Sequence, residues 1–306
     1  MSDIKVWIRG KNIDEDKAVV NVMSPTAQFG LNVFEGIRGY WNEDEEVLYI
    51  FKLEEHIDRL LESSKLVSIP VPYTKEEIIK AIKSNIIANN FKNIDIALRI
   101  TIFADNIGSW HSIEDFDMFV SPIKRKRTDV ENLKGLSASI SSWQRINDNV
   151  LPPRAKLGAN YINGRYAYLQ AKTDGYDVPL LLGNDGKITE SSGACVFIVK
   201  NDKLITPDVT SSILESITRK FIIEFIKELE YEIEERKLDR TELYLADEIL
   251  LVGTAAEITP IIKVDKFIIR DGKVGKVTKQ LLKYYLNIVS GYNKEYLKYL
   301  TQIKGF

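Results

Sequence analysis

The segment from Glu248 to Pro260, EILLVGTAAEITP, holds residues whose types and order could do chemistry. An apolar run, Ile249 to Val252, reads as a short buried strand. It stops at Gly253-Thr254-Ala255-Ala256, where every side chain is small. Small residues at a strand end let backbone N–H groups and one hydroxyl approach an anion closely. A plain tight turn would use the same residues. SILESITRKFI places Leu214, Ser216, Ile217 and Thr218 at a helix start. Free N–H groups, the helix dipole and two hydroxyls favour a phosphate there, although an ordinary Ser216 cap is the commoner reason for such a sequence. Lys156, in RAKLGANYINGRYA, precedes a helix and has Gly158 and Ala159 close by. Glu190, in ITESSGACVFIV, ends a strand and enters a turn of small residues, where a carboxylate could also cap or pair. Arg99 stands at the centre of the otherwise apolar strand IDIALRITIF. It is either a snorkelling edge charge or a group that recognises a carboxylate.

These pieces make sense together for a ligand that is an aldehyde-bearing aromatic phosphate. Such a molecule needs an amine to form a Schiff base, a carboxylate to keep its ring nitrogen protonated, and anion sites for its phosphate.

The elements that must position these groups fall into two halves. In the first, IKVWIRG and VLYIFKL read as strands, and Leu53, Ile57, Leu60 and Leu61 line one helix face. Thr74 and Glu77 form a capping-box pattern before Ile78, Ile79, Ile82, Ile86 and Ile87. Ile96, Leu98, Ile100 and Ile102 then alternate with Ala97, Arg99, Thr101 and Phe103, a strand with two faces. The polar stretch 123–134 reads as an interdomain linker between a small domain, 1–122, and a large one, 135–306. In the second half, strands alternate with helices over Tyr161 to Lys172, from near Ser216, and over Thr278 to Val289. Asn184-Asp185-Gly186 supplies hairpin-turn chemistry. Interleaved helices and hairpin pairs make the fold class α+β.

Composition narrows the field. The 306 residues are 44% hydrophobic and 28% charged, with a formal net charge of −2. That balance argues against nucleic acid or an acidic membrane as the main partner. The run Lys124-Arg125-Lys126-Arg127 reads first as a solvated loop. Cys195, the only cysteine, sits in an apolar run and suits a buried thiol, so a cytoplasmic location is expected. Met1 to Lys5 is polar and no apolar stretch follows, so no signal peptide is expected. No stretch has the length of a membrane span, and no His/Cys/carboxylate spacing suggests a metal. His56 reads as partly buried structure and His111 as a loop residue. GLNVFEG and GKVGKVTK lack the spacing of nucleotide-binding motifs.

At this point the strings FGLNVFEGIRGY, FKLEEHIDRLLESSKL, SSWQR, KLGANYINGRYA, ITESSGACVFIVK, SSILESITR, LYLADEILLVGTAAEITPI and GKVGKVTK can be read together. Through them the chain resembles the fold-type IV pyridoxal-phosphate enzymes, the class IV or D-amino-acid-aminotransferase-like fold. Within that group it is most similar to the branched-chain amino-acid aminotransferases. The resemblance implies an active site between two domains and pyridoxal 5'-phosphate as cofactor. Lys156 would carry the cofactor aldehyde and shuttle a proton, Glu190 would hold the ring N–H, and Tyr161 would bind the phenolic oxygen. Arg59, Ile217, Thr218 and Thr254 would bind phosphate, with Leu214 on the ring face. Thr254, Ala255 and Ala256 would bind the substrate α-carboxylate. Phe34, Gly36 and Arg38 would line the side-chain pocket, and Arg99 would meet the distal carboxylate of glutamate.

The resemblance further implies amino acids and 2-oxo acids as partners and a homodimer or higher homo-oligomer. Where the family commonly has tyrosines, this chain has Phe29 and Ala97, and Ile123 stands in the interdomain loop where aromatic residues are usual. The expected reaction moves the amino group of leucine, isoleucine or valine to 2-oxoglutarate in two ping-pong halves. A D-amino-acid or (R)-amine transaminase and an aminodeoxychorismate lyase are the alternatives on the same scaffold. From a different class, a catalytically silent phosphate-binding module would need no Lys156.

Overall fold

The computed structural model describes residues 4–306. Residues 1–3 of the polar opening, on which the signal-peptide expectation drew, lie outside the described residues. The chain forms two compact units. One takes in the described residues up to Arg127 together with Ala155–Ala159 and Leu286–Phe306, and the other takes in Thr128–Arg154 and Asn160–Tyr285. The units are therefore interleaved in sequence, where a single linker at 123–134 was expected. The cause is long-range pairing: Leu157 bridges to Val33, and a strand at Leu300–Ile303 pairs with Val47–Phe51.

In the first unit, β1 (Lys5–Ile8), β2 (Lys11–Asp14), β3 (Asn32–Asn42), β4 (Val47–Phe51), β5 (Ile96–Ala104) and β6 (Phe116–Lys124) join the C-terminal strand in a seven-stranded antiparallel sheet. The order is C-terminal strand, β4, β3, β5, β6, β1, β2. Three helices belong here: α1 (Pro25–Phe29), α2 (Leu53–Leu66) and α3 (Lys75–Ala88). Thr74 and Glu77 close the predicted capping box at the start of α3. Val33 and Ile37 of β3 share a core with Ile57 and Leu60 of α2 and with Ile82 and Ile86 of α3. The basic run is not a uniformly solvated loop. Arg127 turns inward and grips both carboxylate oxygens of Asp95 at 2.7 and 2.6 Å.

The second unit holds β7 (Leu136–Gln144), β8 (Val178–Leu182), β9 (Ile188–Ser191), β10 (Cys195–Lys200), β11 (Lys203–Thr206), β12 (Glu232–Glu235), β13 (Glu248–Gly253), β14 (Glu257–Val264) and β15 (Phe267–Ile268). Its helices are α4 (Tyr161–Thr173), α5 (Ile217–Phe225), α6 (Arg240–Tyr244) and α7 (Lys276–Val289), the last of which ends within the first unit's share of the chain. The path β10-β13-β14-β7-β8-β9 returns to β10 through Glu190 and Cys195. Closure pairs every strand of that ring on both sides, and β12 and β15 remain as edges outside it. The predicted hairpin joins β8 and β9, with Gly186 at φ 73° in the turn. Parallel pairs (β7 with β14 and β8, β11 with β12) mix with antiparallel ones, so the fold is α+β.

The motif GKVGKVTK finds a structural use. The buried Glu248 carboxylate accepts from the Val277 and Thr278 N–H groups at 2.9 and 2.8 Å and from the Thr278 hydroxyl at 2.6 Å. It thus neutralises the first turn of α7 with a fixed anion. Gly275 makes room for it, because a Cβ there would lie 1.9 Å from Glu248 Cδ. Gly275→Ala is expected to lower the unfolding free energy by about 1–3 kcal/mol through forced displacement of that carboxylate. Urea titration reads this directly, and an unchanged midpoint would contradict the seat described here.

Candidate active site

Strand β3 organises the functional residues of the first unit. Successive side chains on a strand point to opposite faces. Val33, Glu35 and Ile37 are almost fully buried on the face toward α2. Phe34, Gly36 and Arg38 therefore share the other face. The register sets Gly36 opposite Arg99 and Arg38 opposite Ala97. The Arg99 guanidinium lies 4.3 Å from the centre of the Phe34 ring, a cation–π distance. A Cβ at Gly36 would meet no atom within 4 Å, so the space beside Arg99 is open. Lys156 Nζ sits 5.2 Å from the same Phe34 ring. Its backbone is fixed twice: Phe34 N–H donates to Lys156 O at 3.0 Å, and Lys156 N–H donates to Ser63 Oγ at 3.0 Å. The structure thus gathers Phe34, Gly36, Arg99 and Lys156.

Arg38 has a different setting. It is 2% exposed, and its Nη2 donates to the carbonyls of Arg125 and Lys126 at 3.0 and 3.1 Å. It anchors the basic loop, which sequence reasoning did not foresee. Arg59, on α2, forms a two-point ion pair with Glu35, Nε to Oε1 at 2.6 Å and Nη2 to Oε2 at 2.9 Å. His56 Nδ1 lies 2.8 Å from the same carboxylate. Burial opposes the charge on Glu35, yet Arg59 and His56 hold its carboxyl well below the usual carboxylate range. Burial likewise pushes the His56 imidazole below its ordinary value, against the pull of Glu35. Neither Glu35 nor His56 was singled out for function from sequence. Their only signal was membership of the strings VFEGIRG and EEHIDRL.

In the second unit, strand register builds the other group. Glu190 pairs with Cys195, and Cys195 pairs with Val252 next to Gly253. One end of the closed sheet therefore collects Glu190 and the small-residue turn. Thr254, Ala255 and Ala256 form the turn between β13 and β14, and Gly253 approaches the backbone of Gly193 and Ala194. Glu190 is 5% exposed. Its Oε2 accepts from Leu214 N–H at 3.1 Å, which ties down the loop leading into α5. Arg145 Nε lies 2.7 Å from Glu190 Oε1 as a close ion pair, though its N–H is not aimed along a hydrogen bond. Arg145 is a partner that sequence reasoning left outside the site.

Ser216 caps α5 by accepting from Arg219 N–H at 3.2 Å. Ile217 and Thr218 open that helix, and the Thr218 hydroxyl is buried without a hydrogen-bond partner. A buried unpaired hydroxyl beside free helix N–H groups is the local chemistry of an anion site. Tyr161 is the first residue of α4 and partly exposed. His111 lies in an exposed loop, 3.1 Å from Ser109 Oγ. Among the described residues no His, Cys, Asp and Glu side chains group as a metal would require, and no helix is long and apolar enough to cross a membrane.

Known proteins resemble the chain over most of its length. Residues 32–264 match the family model for amino-transferase class IV. A probable branched-chain-amino-acid aminotransferase of Aquifex aeolicus is 37% identical over 299 residues, which is 97% of this chain and 96% of that protein. The branched-chain amino acid aminotransferase of Thermobaculum terrenum, solved in its PLP form, is 40% identical with a TM-score of 0.92, over 98% of each chain. A further branched-chain amino acid aminotransferase, from T.th. and complexed with N-(5'-phosphopyridoxyl)-L-glutamate, is 32% identical with a TM-score of 0.92, over 98% of this chain and 99% of that one. The family match covers most of the chain and includes both groups of residues described above; the chain belongs to the class IV aminotransferases.

Proposed function

We propose that this aminotransferase uses pyridoxal 5'-phosphate to move the amino group of L-leucine, L-isoleucine or L-valine to 2-oxoglutarate, in two ping-pong half-reactions. The observation that carries this reading is the placement of Lys156, a lysine pinned through both backbone groups beside Phe34. The neighbour in its PLP form and the one complexed with a phosphopyridoxyl-glutamate support the cofactor and the glutamate half-reaction. The residues present fit such a group. The buried, unpartnered Thr218 hydroxyl at a capped helix start suits a phosphate, and the braced carboxylate of Glu190 suits a ring N–H.

When bound, the cofactor supplies an aldehyde that takes up an amino group and a ring that accepts electrons from the substrate α-carbon. Lys156 is the residue whose amine would hold it. The same amine would take the proton from the substrate α-carbon and deliver it to the cofactor carbon that carried the aldehyde, which requires that it be neutral part of the time. Glu190 would accept the ring N–H, and its ionised state favours protonation of that nitrogen. Arg59, Ile217, Thr218 and Thr254 would hold the phosphate, Leu214 would pack on the ring, and Tyr161 would donate to the phenolic oxygen. Backbone N–H groups of Thr254, Ala255 and Ala256 would orient the α-carboxylate. Phe34, Gly36 and Arg38 would shape the side-chain pocket, with Arg99 gripping the distal carboxylate of glutamate through its planar fork. We place the enzyme in the cytoplasm as a homodimer or higher homo-oligomer.

A second reading is a D-amino-acid or (R)-amine transaminase. Ala97, opposite Arg38 in register and two residues from Arg99, is the observation that favours it, because a small side chain there leaves room on the substrate face.

Lys156→Ala is expected to abolish the yellow colour of the loaded protein and to slow turnover by at least about 10²–10⁴-fold. Colour and turnover both intact would remove Lys156 from the chemistry. A panel of L-leucine, L-valine, L-glutamate, D-alanine and (R)-1-phenylethylamine, followed by bleaching of the yellow colour, separates the two readings. The L-donors are expected to bleach fastest. Faster bleaching by D-alanine or the (R)-amine would establish the second reading.

A further inference from the structure

We infer that Glu35 and His56 are positioning residues that seat the Arg59 guanidinium for the cofactor phosphate. This deepens the proposed function and rests on the phosphate role given there to Arg59. The geometry is specific. Glu35 is fully buried, and its Oε2 takes donors from Arg59 Nη2 at 2.9 Å, His56 Nδ1 at 2.8 Å and its own neighbour Gly36 N–H at 3.3 Å. Its Oε1 takes Arg59 Nε at 2.6 Å. A two-point contact along one edge of a guanidinium fixes the plane of that group as well as its position.

Stability alone does not explain the arrangement. Val33 and Ile37 of the same strand face and Ile57 and Leu60 of α2 belong to one apolar core, and buried ion pairs are commonly matched or bettered by apolar residues of similar size. His56 is also buried with its Nε2 lacking any hydrogen-bond partner, an uncompensated desolvation that a purely structural core would avoid. The helix gives the arrangement its direction. Arg59 and Ser63 are four residues apart on α2 and so share one face. Ser63 holds the backbone of Lys156. Glu35 therefore orients Arg59 on the helix face that also fixes the lysine.

The test compares binding of pyridoxal 5'-phosphate with that of pyridoxal, which has the same ring and aldehyde but no phosphate, to cofactor-free protein followed by absorbance. Glu35→Gln is expected to weaken pyridoxal-phosphate binding about 10-fold, the scale of one charge-assisted contact. His56→Leu, which leaves the Arg59–Glu35 pair in place, is expected to weaken it about 3-fold. Pyridoxal binding should stay within about twofold in both variants. Equal weakening of both ligands would mean a general structural loss and would overturn the inference. So would unchanged pyridoxal-phosphate binding in these variants alongside selective weakening in Arg59→Lys. Should Arg59→Lys weaken the two ligands equally, the phosphate role of Arg59 itself fails, and that result is distinct from the other two. If Glu35→Gln does not fold by circular dichroism, His56→Leu carries the test on the same criterion.

Discussion

A single carboxylate, that of Glu35, sets the terms for the first unit. An ionised group this deeply buried is costly unless it is paired and hydrogen-bonded. Arg59, His56 and the Gly36 N–H meet that requirement. Because strand side chains alternate, committing Glu35 to the α2 side commits Phe34 and Gly36 to the other. That second face is where Lys156 and Arg99 approach the Phe34 ring. The Phe34 N–H then fixes the Lys156 carbonyl. A shift of β3 by one residue would turn Glu35 out of its pairs and Phe34 away from both cations.

The second unit solves a related problem by closing a sheet. Closure brings the end of β9 beside the start of β10 and the end of β13, so Glu190 and the Gly253–Ala256 turn fall at one rim. Small residues are required there for contact reasons. Gly164 of α4 lies so close to Ser192 that a Cβ would sit 2.8 Å from its carbonyl oxygen. Arg145 and the Leu214 N–H brace the two oxygens of Glu190. The result is a carboxylate whose position is defined by a strand, a loop and a half-buried cation.

Much of this was legible in the chain. The Thr74–Glu77 box, the two-faced strand with Arg99, the Asn184–Gly186 turn and the helix start at Ser216 follow from local rules of spacing and turn chemistry, and each is found. Lys156 and Glu190 stand out in the sequence only as residue types, and the family resemblance is what gives them roles. What stayed hidden depends on long-range pairing. Nothing local says that 155–159 and 286–306 pack with the first unit, since the bridges involved join residues more than a hundred positions apart. Nor does anything near Arg38 announce that its Nη2 donates to two loop carbonyls from far along the chain. GKVGKVTK could not reveal that its anion is Glu248 of the same unit. Periodicity cannot distinguish a buried charge with partners from a charge in solvent, which is why the sequence carries no functional signal for Glu35 and none that puts Arg145 against Glu190.

The chemistry proposed for this enzyme requires that the amine of Lys156 carry the cofactor. Borohydride reduction of the yellow, loaded protein followed by proteolysis and mass mapping locates that amine. A pyridoxyl adduct confined to Lys156 is the predicted result, and an adduct on another lysine, or none on any peptide, would contradict it.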